Sequence, residues 1–151
     1  SGPGSRVKSF LLDTSCLVAA VCSWHEHHEA TAAAIALRAR RRERRIMAAP
    51  ALLEAYSVLT RLPPPHRLRP TDALAVLEGS FAGDRVVALP ATSTWDLLRS
   101  LSEQGVGGGR SYDAVIVACA REAPADLILT WNVRHFEGLT EDIEIAAPSV
   151  D

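Results

Sequence analysis

The stretch Phe10-Leu11-Leu12-Asp13-Thr14-Ser15 joins a short apolar run to one carboxylate and two hydroxyls. An apolar run of this length, followed at once by polar residues, predicts a buried β-strand. In open α/β sheets, the residues that follow the carboxyl ends of the strands form the ligand-binding edge. Asp13 is therefore predicted to lie at that edge, and the function depends on which other polar residues meet it there.

Strands and helices alternate along the rest of the chain. Apolar runs bounded by proline, glycine and polar residues predict further strands at 46–48, 85–89, 127–130 and 143–146. Helices are predicted at about 14–22, 26–45, 51–61, 71–81, 94–103 and 112–121, several of them capped by hydroxyls: Thr14 or Ser15, Thr71, Ser111. This alternation favours an α/β fold, with a parallel sheet of about five strands covered by helices on both faces.

Composition narrows the class of protein. The 151 residues are 48% hydrophobic and 23% charged, which is typical of one soluble globular domain, expected here at residues 6–151. Residues 1–5 (Ser-Gly-Pro-Gly-Ser) resemble the remnant of a cleaved tag. The net charge of -2 excludes a wholly basic nucleic-acid binder, but it does not exclude a local basic patch.

Cysteine content and apolar run length indicate the compartment. The three cysteines are an odd number without a C-x-x-C pair, so reduced thiols in a cytoplasmic protein are expected. No apolar run reaches the roughly 18 residues of a membrane-spanning helix, so no membrane partner is expected.

Two more carboxylates lie in apolar surroundings. Glu54 is in the predicted helix after the second strand, and Asp113 is in a helix that looks apolar all round. An isolated buried carboxylate costs several kcal/mol unless it is paired or binds a metal. Simpler roles remain open: Asp13 as a helix cap, Glu54 in solvent, and Asp113 as a partner of the helix dipole.

Three carboxylates at one sheet edge would need a cation or would take up protons. Two carboxylates about 4 Å apart repel each other by roughly 4 kcal/mol at an effective dielectric of 20. Oxygen ligands favour Mg²⁺ or Mn²⁺ over zinc. A metal held in this way lowers the pKa of a bound water and stabilises charge on a phosphate under in-line attack.

Four motifs, in order along the chain, resemble those of the PIN-domain ribonucleases, in particular the VapC-type toxins of bacterial toxin–antitoxin modules. They are Leu11-Leu12-Asp13-Thr14-Ser15, Ala51-Leu52-Leu53-Glu54 after Pro50, Tyr112-Asp113-Ala114-Val115-Ile116-Val117-Ala118, and Leu129-Thr130-Trp131-Asn132-Val133-Arg134-His135-Phe136. The resemblance spans nearly the whole chain. Each motif is unspecific alone, but the four together, in order and at this spacing, are fairly specific.

The resemblance implies a Mg²⁺- or Mn²⁺-dependent endoribonuclease that hydrolyses RNA phosphodiester bonds. It implies a toxin that inhibits translation and growth, forms a homodimer and is neutralised by a cognate VapB-type antitoxin. The implied site residues are the metal ligands and their supports: Asp13, Glu54 and Asp113 as ligands, Asn132 where the family often has aspartate, and the hydroxyls of Ser15 and Thr130. Because an amide ligates less strongly than a carboxylate, Asn132 weakens the case for a second metal.

Other patterns leave alternatives open. The glycine-rich run 105–109 would let Arg110 approach the site and contact a substrate phosphate. The arginine-rich run 38–45 is either a solvated helix end or an RNA-backbone contact. Trp24, Trp95 and Trp131 are scattered in the sequence and predict no base-stacking cluster near that run.

The sequence argues against several other enzyme and binding classes. Haloacid-dehalogenase phosphatases and receiver domains need a late lysine, but Lys8 is the only lysine. Cys16 lies near a helix start, yet no histidine motif supports a thiol nucleophile. Zinc binding by His25 and His28 lacks a partner motif. The remaining alternative is a non-catalytic PIN-like regulatory module with an acidic pocket, which Asn132 alone favours.

Overall fold

The computed structural model describes residues 6–149, so the predicted tag remnant at residues 1–5 lies outside the described residues. Within the described part, five parallel strands form one sheet: β1 (Ser9–Leu12), β2 (Arg44–Ala48), β3 (Arg85–Val87), β4 (Leu127–Leu129) and β5 (Glu144–Ala146). Their order across the sheet is β3-β2-β1-β4-β5. The prediction of a parallel α/β sheet of about five strands is confirmed.

The helices lie between the strands, as the alternation predicts. They are α1 (Thr14–Val21), α2 (His28–Arg40), α3 (Ala49–Thr60), α4 (Pro70–Phe81), α5 (Thr94–Gln104) and α6 (Arg110–Glu122). A short 3-10 turn precedes α5, and another follows β4 at Val133–Phe136. None of the helices within residues 6–149 is both long and apolar enough to cross a membrane.

The centre of the sheet is buried on both faces. All four residues of β1 are buried, and Leu11 pairs with Ile46 on one side and Ile128 on the other. Since alternate side chains of a strand point to opposite faces, a fully buried strand must be covered on both. Each large aliphatic side chain buried in this way contributes about 1.5–3 kcal/mol to folding.

The strand order creates a crevice at one edge. The chain runs outward from β1 through β2 to β3, then returns to the other side of β1 and continues through β4 to β5. Ligands of open α/β sheets bind at such a reversal, beyond the carboxyl ends of the strands. The residues directly after β1 and β4 therefore face each other across the crevice, and the backbone N–H of Asp13 donates to the Leu129 carbonyl at 3.0 Å.

The predicted second helix is too long at its carboxyl end. It ends at Arg40, and Arg44 and Arg45 belong to β2, where they pair with Ser9 and Phe10 of β1. Strand pairing in the sheet overrides the good helix propensity of arginine. The arginine-rich run is thus divided between a helix end, a turn and the start of a strand, at the edge of the sheet opposite the crevice.

The other local differences between the prediction and the structure lie at the starts of helices. The N-cap of α1 is Asp13, the alternative that the sequence left open beside Thr14 or Ser15, and its carboxylate accepts a hydrogen bond from the Thr14 N–H. Helix α4 begins at Pro70, one residue before the predicted cap Thr71, because proline fits a first turn that needs no N–H. Helix α6 begins one residue before the predicted cap Ser111, and it is buried along one face instead of all round.

Candidate active site

Asp13 is a buried carboxylate held by three donors. It is 5% exposed, and its Oδ1 accepts from the Thr14 N–H at 2.7 Å. Its Oδ2 accepts from Thr130 Oγ1 at 2.7 Å and from Ser15 Oγ at 3.2 Å. Hydrogen bonds to ionised acceptors are stronger than neutral ones, and they fix the orientation of this carboxylate. Asp13 therefore acts as a helix cap and as a cavity residue at once.

The hydroxyls of Ser15 and Thr130 link Asp13 to the loop after β4. Thr130 is fully buried, and its Oγ1 also accepts from the Asn132 N–H at 2.9 Å. Ser15 Oγ accepts from the Trp131 N–H at 2.9 Å. Each hydroxyl is thus engaged as both donor and acceptor, so the ends of β1 and β4 form one hydrogen-bonded unit.

Glu54 and Asp113 reach the same cavity from two helices. Glu54 is exposed on α3, and its Oε2 accepts from Thr14 Oγ1 at 3.2 Å. Asp113 lies half-buried in the first turn of α6. Both line a cavity of about 1180 Å³ whose wall also includes Asp13 and Asn132. The four residues that the sequence predicts for the site therefore face one space.

The electrostatics of Asp113 reflect its acidic neighbours. Burial raises the pKa of its carboxyl, and the negative charges of Asp13 and Glu54 raise it further. His135 and Arg110 act in the opposite direction, but the net pKa shift is upward. A raised carboxyl pKa means that the ionised form is disfavoured where it stands. The cavity therefore favours the arrival of positive charge.

The donor set fits a hard divalent cation. The three acids present only carboxylate oxygens, which Mg²⁺ and Mn²⁺ prefer, and their mutual repulsion falls when a cation enters. Among residues 6–149, no three His, Cys, Asp or Glu side chains converge closely enough to form a preassembled metal site. Exposed Glu54 is the acid with the most freedom to move, so the residues fit a metal that completes its own coordination on arrival.

Arg110 is held at the cavity wall by backbone carbonyls. Its Nε donates to the His135 carbonyl at 3.4 Å, and one Nη donates to the Glu137 carbonyl. Gly105, at a φ of 69°, ends the preceding helix α5 in the left-handed conformation that glycine adopts readily. These contacts fix the start of α6, and with it Asp113, against the turn after β4.

Aromatic rings form a wall of the site that the sequence did not predict. His27 stacks on Trp131 with 3.9 Å between ring centroids, and Trp24 stacks on His66 at the same distance. His25 lies between the two pairs and lines the cavity together with His27. Trp24 and Trp131, which are scattered in the sequence, are connected in the structure through His25 and His27 of the loop between α1 and α2. Such packing joins distant segments, so no local sequence pattern predicts it.

The thiol alternative gains no support. Cys16 is fully buried in α1, and burial raises the pKa of its thiol, with the Asp13 charge adding to the effect. The thiolate is the nucleophilic form of cysteine, and it is disfavoured at this position. Cys22 and Cys119 are also free and buried.

Comparison with known proteins gives consistent results. The family model described as PIN domain matches residues 10–138. The chain is 42% identical over 136 residues to Ribonuclease VapC40 of Mycobacterium tuberculosis, covering 88% of this chain and 96% of that protein. It is 37% identical over 117 residues to Ribonuclease VapC27 of the same species, covering 78% and 73%. The DNA-bound VapBC structure from Salmonella typhimurium matches with a TM-score of 0.66 at 22% identity, covering 95% and 100%.

Proposed function

The chain belongs to the PIN-domain family, and from this premise we propose that it is a metal-dependent endoribonuclease acting as the toxin of a toxin–antitoxin pair. One observation carries the proposal: Asp13, Glu54 and Asp113 line one cavity, and none of them forms an ion pair with a residue from 6 to 149. The 42% identity to a protein named as a ribonuclease, over 96% of its length, supports the reaction class.

The metal ligands in this proposal are the three acids. When bound, Mg²⁺ or Mn²⁺ supplies positive charge near the scissile phosphate and lowers the pKa of a bound water. Asp13 is the fixed ligand, because three donors hold its carboxylate before any ligand arrives. Glu54 and Asp113 are the adjustable ligands, since Glu54 is exposed and Asp113 half-buried.

The remaining site residues do not bind the metal tightly. They orient the Asp13 carboxylate, a water or the RNA phosphates. Ser15 and Thr130 keep the Asp13 carboxylate in place through their hydroxyls. Asn132 offers a neutral amide at the cavity wall, suited to orienting a water or a phosphate oxygen. Arg110 brings a guanidinium to the same wall, where it attracts the RNA backbone.

Partner proteins follow from the family and from the exposed surface. The Salmonella structure is a VapBC complex, so we expect this chain to bind a cognate antitoxin. Leu53 and Tyr112 line the mouth of the cavity and are 73% and 74% exposed. Large apolar side chains exposed beside a site are typical of protein contacts. A second copy of the chain is the other expected partner, and the homodimer stays a prediction.

The test is cleavage of end-labelled structured RNAs by purified protein with Mn²⁺ or Mg²⁺, and again with EDTA. We expect cleavage with metal and none with EDTA. Asp13→Asn and Glu54→Gln should each lower the initial rate by about 100-fold or more, the scale of losing one metal ligand. Expression in a bacterial host should arrest growth, and either substitution should relieve the arrest.

Asp126→Asn is the matched control, because it removes one carboxylate at the opposite edge of the sheet. It should cleave like the wild type. A wild-type protein that binds Mn²⁺ yet cleaves no RNA would favour the non-catalytic regulatory module. Cleavage that survives both site substitutions would mean that these acids are not the catalytic centre.

A further inference from the structure

A second cavity lies at the edge of the sheet where the strands begin, opposite the acidic cavity, and we name it the arginine cavity. Its volume is about 630 Å³, which is within the range of small-molecule sites. Four arginines line it, from the residues before β1 and from the starts of β2 and β3: Arg6, Arg44, Arg45 and Arg85. Two of them belong to the arginine-rich run 38–45, whose role the sequence left open. Part of that run therefore faces a space that a ligand can enter.

Two of the four arginines are paired with acids. Arg45 donates through Nε to Asp84 at 2.6 Å and through Nη2 to the Ser80 carbonyl at 2.8 Å. Arg6 donates to both carboxylate oxygens of Asp126. In the described part of the chain, Asp84 is the one acid of the cavity wall, and Arg45 neutralises it. This acid therefore does not cancel the charge of the other two arginines.

Arg44 and Arg85 have no counter-charge. No ion pair joins either of them to another residue from 6 to 149. Arg85 donates from Nη1 to the neutral Ala123 carbonyl at 2.7 Å, which fixes its guanidinium without neutralising it. That bond leaves the Nε and Nη2 hydrogens of Arg85 for a ligand. Both arginines are exposed, so an anion reaches them from solvent.

The register of the sheet places these two arginines on one face. Arg85 of β3 pairs with Ile46 of β2, and Arg44 lies two residues before Ile46 in the same strand. Paired residues share a face of a sheet, as do residues two positions apart in a strand. The face is the one that carries α6, because Arg85 contacts the carbonyl of Ala123, the C-cap of that helix. Two like charges on neighbouring strands repel each other, and a bound anion removes that repulsion.

A phosphate monoester is the anion that fits this arrangement. A guanidinium binds phosphate oxygens through two parallel N–H groups. Near neutral pH a phosphate monoester carries a charge of about −1.5 to −2, which two unpaired guanidiniums match. Each phosphate of an RNA backbone carries only one negative charge. Ile46 and Pro124 also line the cavity, and they offer apolar surface to the carbon part of an ester.

We infer that the arginine cavity binds the phosphate group of a small phosphate monoester, such as a mononucleotide. Arg44 and Arg85 bind the phosphate oxygens, and Arg6 and Arg45 keep the nearby acids neutralised. The site lies at the opposite edge of the sheet from Asp13 and requires neither a metal nor RNA cleavage. The inference therefore goes beyond the proposed function and does not depend on it.

The experiment is a calorimetric titration of the full chain with adenosine 5′-monophosphate, in EDTA so that no metal occupies the acidic cavity. Adenosine, which lacks the phosphate, is the second probe. We expect the monophosphate to bind one site per chain at least about 30-fold more tightly than adenosine, because the charge-assisted hydrogen bonds go to the phosphate. Inorganic phosphate should compete with the monophosphate for the same site.

Single substitutions locate the bound phosphate. Arg44→Gln and Arg85→Gln should each weaken binding of the monophosphate by about tenfold or more, the scale of losing hydrogen bonds to a charged group. Arg44→Lys keeps the charge but loses the planar fork, so its loss should be smaller, about threefold. Arg40→Gln is the matched control, because it removes an exposed arginine of the same run that does not line the cavity. It should bind within about twofold of the wild type, since distant surface charges are screened by salt.

Urea denaturation of each variant shows whether a loss of binding comes from unfolding. Arg44 is the decisive position, because its side chain forms no ion pair within residues 6–149 that the fold would lose. An Arg44→Gln variant that is as stable as the wild type and binds the monophosphate more weakly would support the arginine cavity. An equal loss in Arg40→Gln would overturn it, since net charge alone would then explain the binding.

Other outcomes would also overturn the inference. Equal affinity for adenosine and its monophosphate would mean that the phosphate is not recognised. Binding that Arg110→Gln abolishes and Arg44→Gln leaves intact would place the phosphate at the acidic cavity. Displacement of the monophosphate by an oligoribonucleotide without terminal phosphates, at lower concentration than inorganic phosphate and dependent on Arg44, would assign the site to the RNA backbone. Binding of the monophosphate by a chain that cleaves no RNA would support the arginine cavity and contradict only the proposed function.

Discussion

The sheet has carboxylates at both of its edges, and the groups around them differ. At the edge where the strands begin, Asp126 pairs with Arg6 and accepts from the Ser9 N–H at 2.9 Å. Asp84 pairs there with Arg45 at 2.6 Å. The Arg6 hydrogen bond holds the pKa of Asp126 below its usual range. Each of these acids has a cation supplied by its own chain.

At the edge where the strands end, the three acids of the cavity form no ion pair with any residue from 6 to 149. Within that described part of the chain, the hydrogen bonds that Asp13 and Glu54 accept all come from neutral groups. The pKa of Asp113 is raised by burial and then by the other two acids. An acid that forms an ion pair within its own chain therefore stabilises the fold, whereas acids that form no ion pair among the described residues are available to a ligand.

Asp113→Asn should separate activity from stability most sharply. We expect RNA cleavage to fall by about 100-fold or more, because the substitution removes one of the three proposed metal ligands. The free energy of unfolding should stay within about 0.5 kcal/mol or rise, because a disfavoured charge has been removed. Initial cleavage rates and urea denaturation check the two effects. A destabilised but fully active variant would mean that Asp113 contributes to folding and not to catalysis.

Thr130→Val tests the hydrogen bonds that hold Asp13. It removes the buried donor to Asp13 Oδ2 and the acceptor of the Asn132 N–H. We expect the free energy of unfolding to drop by about 2 kcal/mol, the cost of buried polar groups left unsatisfied. Cleavage should fall by about tenfold as the carboxylate loses its fixed orientation. Thr130→Ser, which keeps the hydroxyl, should recover most of both losses in the same assays.

Asp126→Asn is the counterpart of Asp113→Asn at the opposite edge. It should lower the free energy of unfolding by about 1 kcal/mol, because an ion pair and a charge-assisted hydrogen bond are weakened. Cleavage should stay within about twofold of the wild type. Urea denaturation and initial cleavage rates measure the two quantities. A large loss of activity with unchanged stability would show that Asp126 contributes to cleavage and not only to folding.

The stability difference between wild type and Asp126→Asn should depend on pH in a fixed direction. Because the folded-state pKa of Asp126 lies below the ordinary 3.8, its contribution is fully present well above that value. It is lost as the pH falls below 3.8 toward the folded-state pKa. Denaturation curves at a series of pH values should show the two proteins converging in acid. Divergence in acid would contradict the assigned sign.

Asn132→Asp should have the smallest effect. A fourth carboxylate at the cavity wall should raise Mn²⁺ affinity by about threefold, modest because the side chain is exposed and its charge screened by solvent. Calorimetric titration of both proteins with Mn²⁺ measures the change. Asn132→Gln keeps the position neutral and serves as the control. An unchanged affinity would mean that position 132 lies too far from the metal to contribute.

Local signals in the sequence predicted most of the fold. The apolar run ending at Asp13, Pro50 before Glu54 and the glycines before Arg110 each mark an element boundary within a few residues. The end of the second helix could not be predicted in this way, because Arg44 and Arg45 join β2 through pairing with β1. Long-range pairing of this kind overrides helix propensity.

In the candidate site, too, local sequence signals predicted some residues, and long-range contacts determined the rest. The carboxylates Asp13, Glu54 and Asp113 stand out because each is out of place in an apolar segment. The partners of those acids, such as the buried Thr130 hydroxyl, come from far along the chain. The ring contacts at the site were missed for that reason, since the loop that carries Trp24, His25 and His27 meets Trp131 of the loop after β4. No spacing rule in one sequence encodes such a contact.

The hydrogen bond from Thr130 to Asp13 joins residues 117 positions apart. During synthesis from the amino terminus, Asp13 and helix α1 emerge long before β4 can pair with β1. A nascent chain that ends before Thr130 carries the carboxylate but lacks its buried donor and the loop with Trp131 and Asn132. The acidic cavity is therefore completed only after residue 132 has left the ribosome, and until then the nascent chain carries the Asp13 carboxylate without the hydroxyl that orients it.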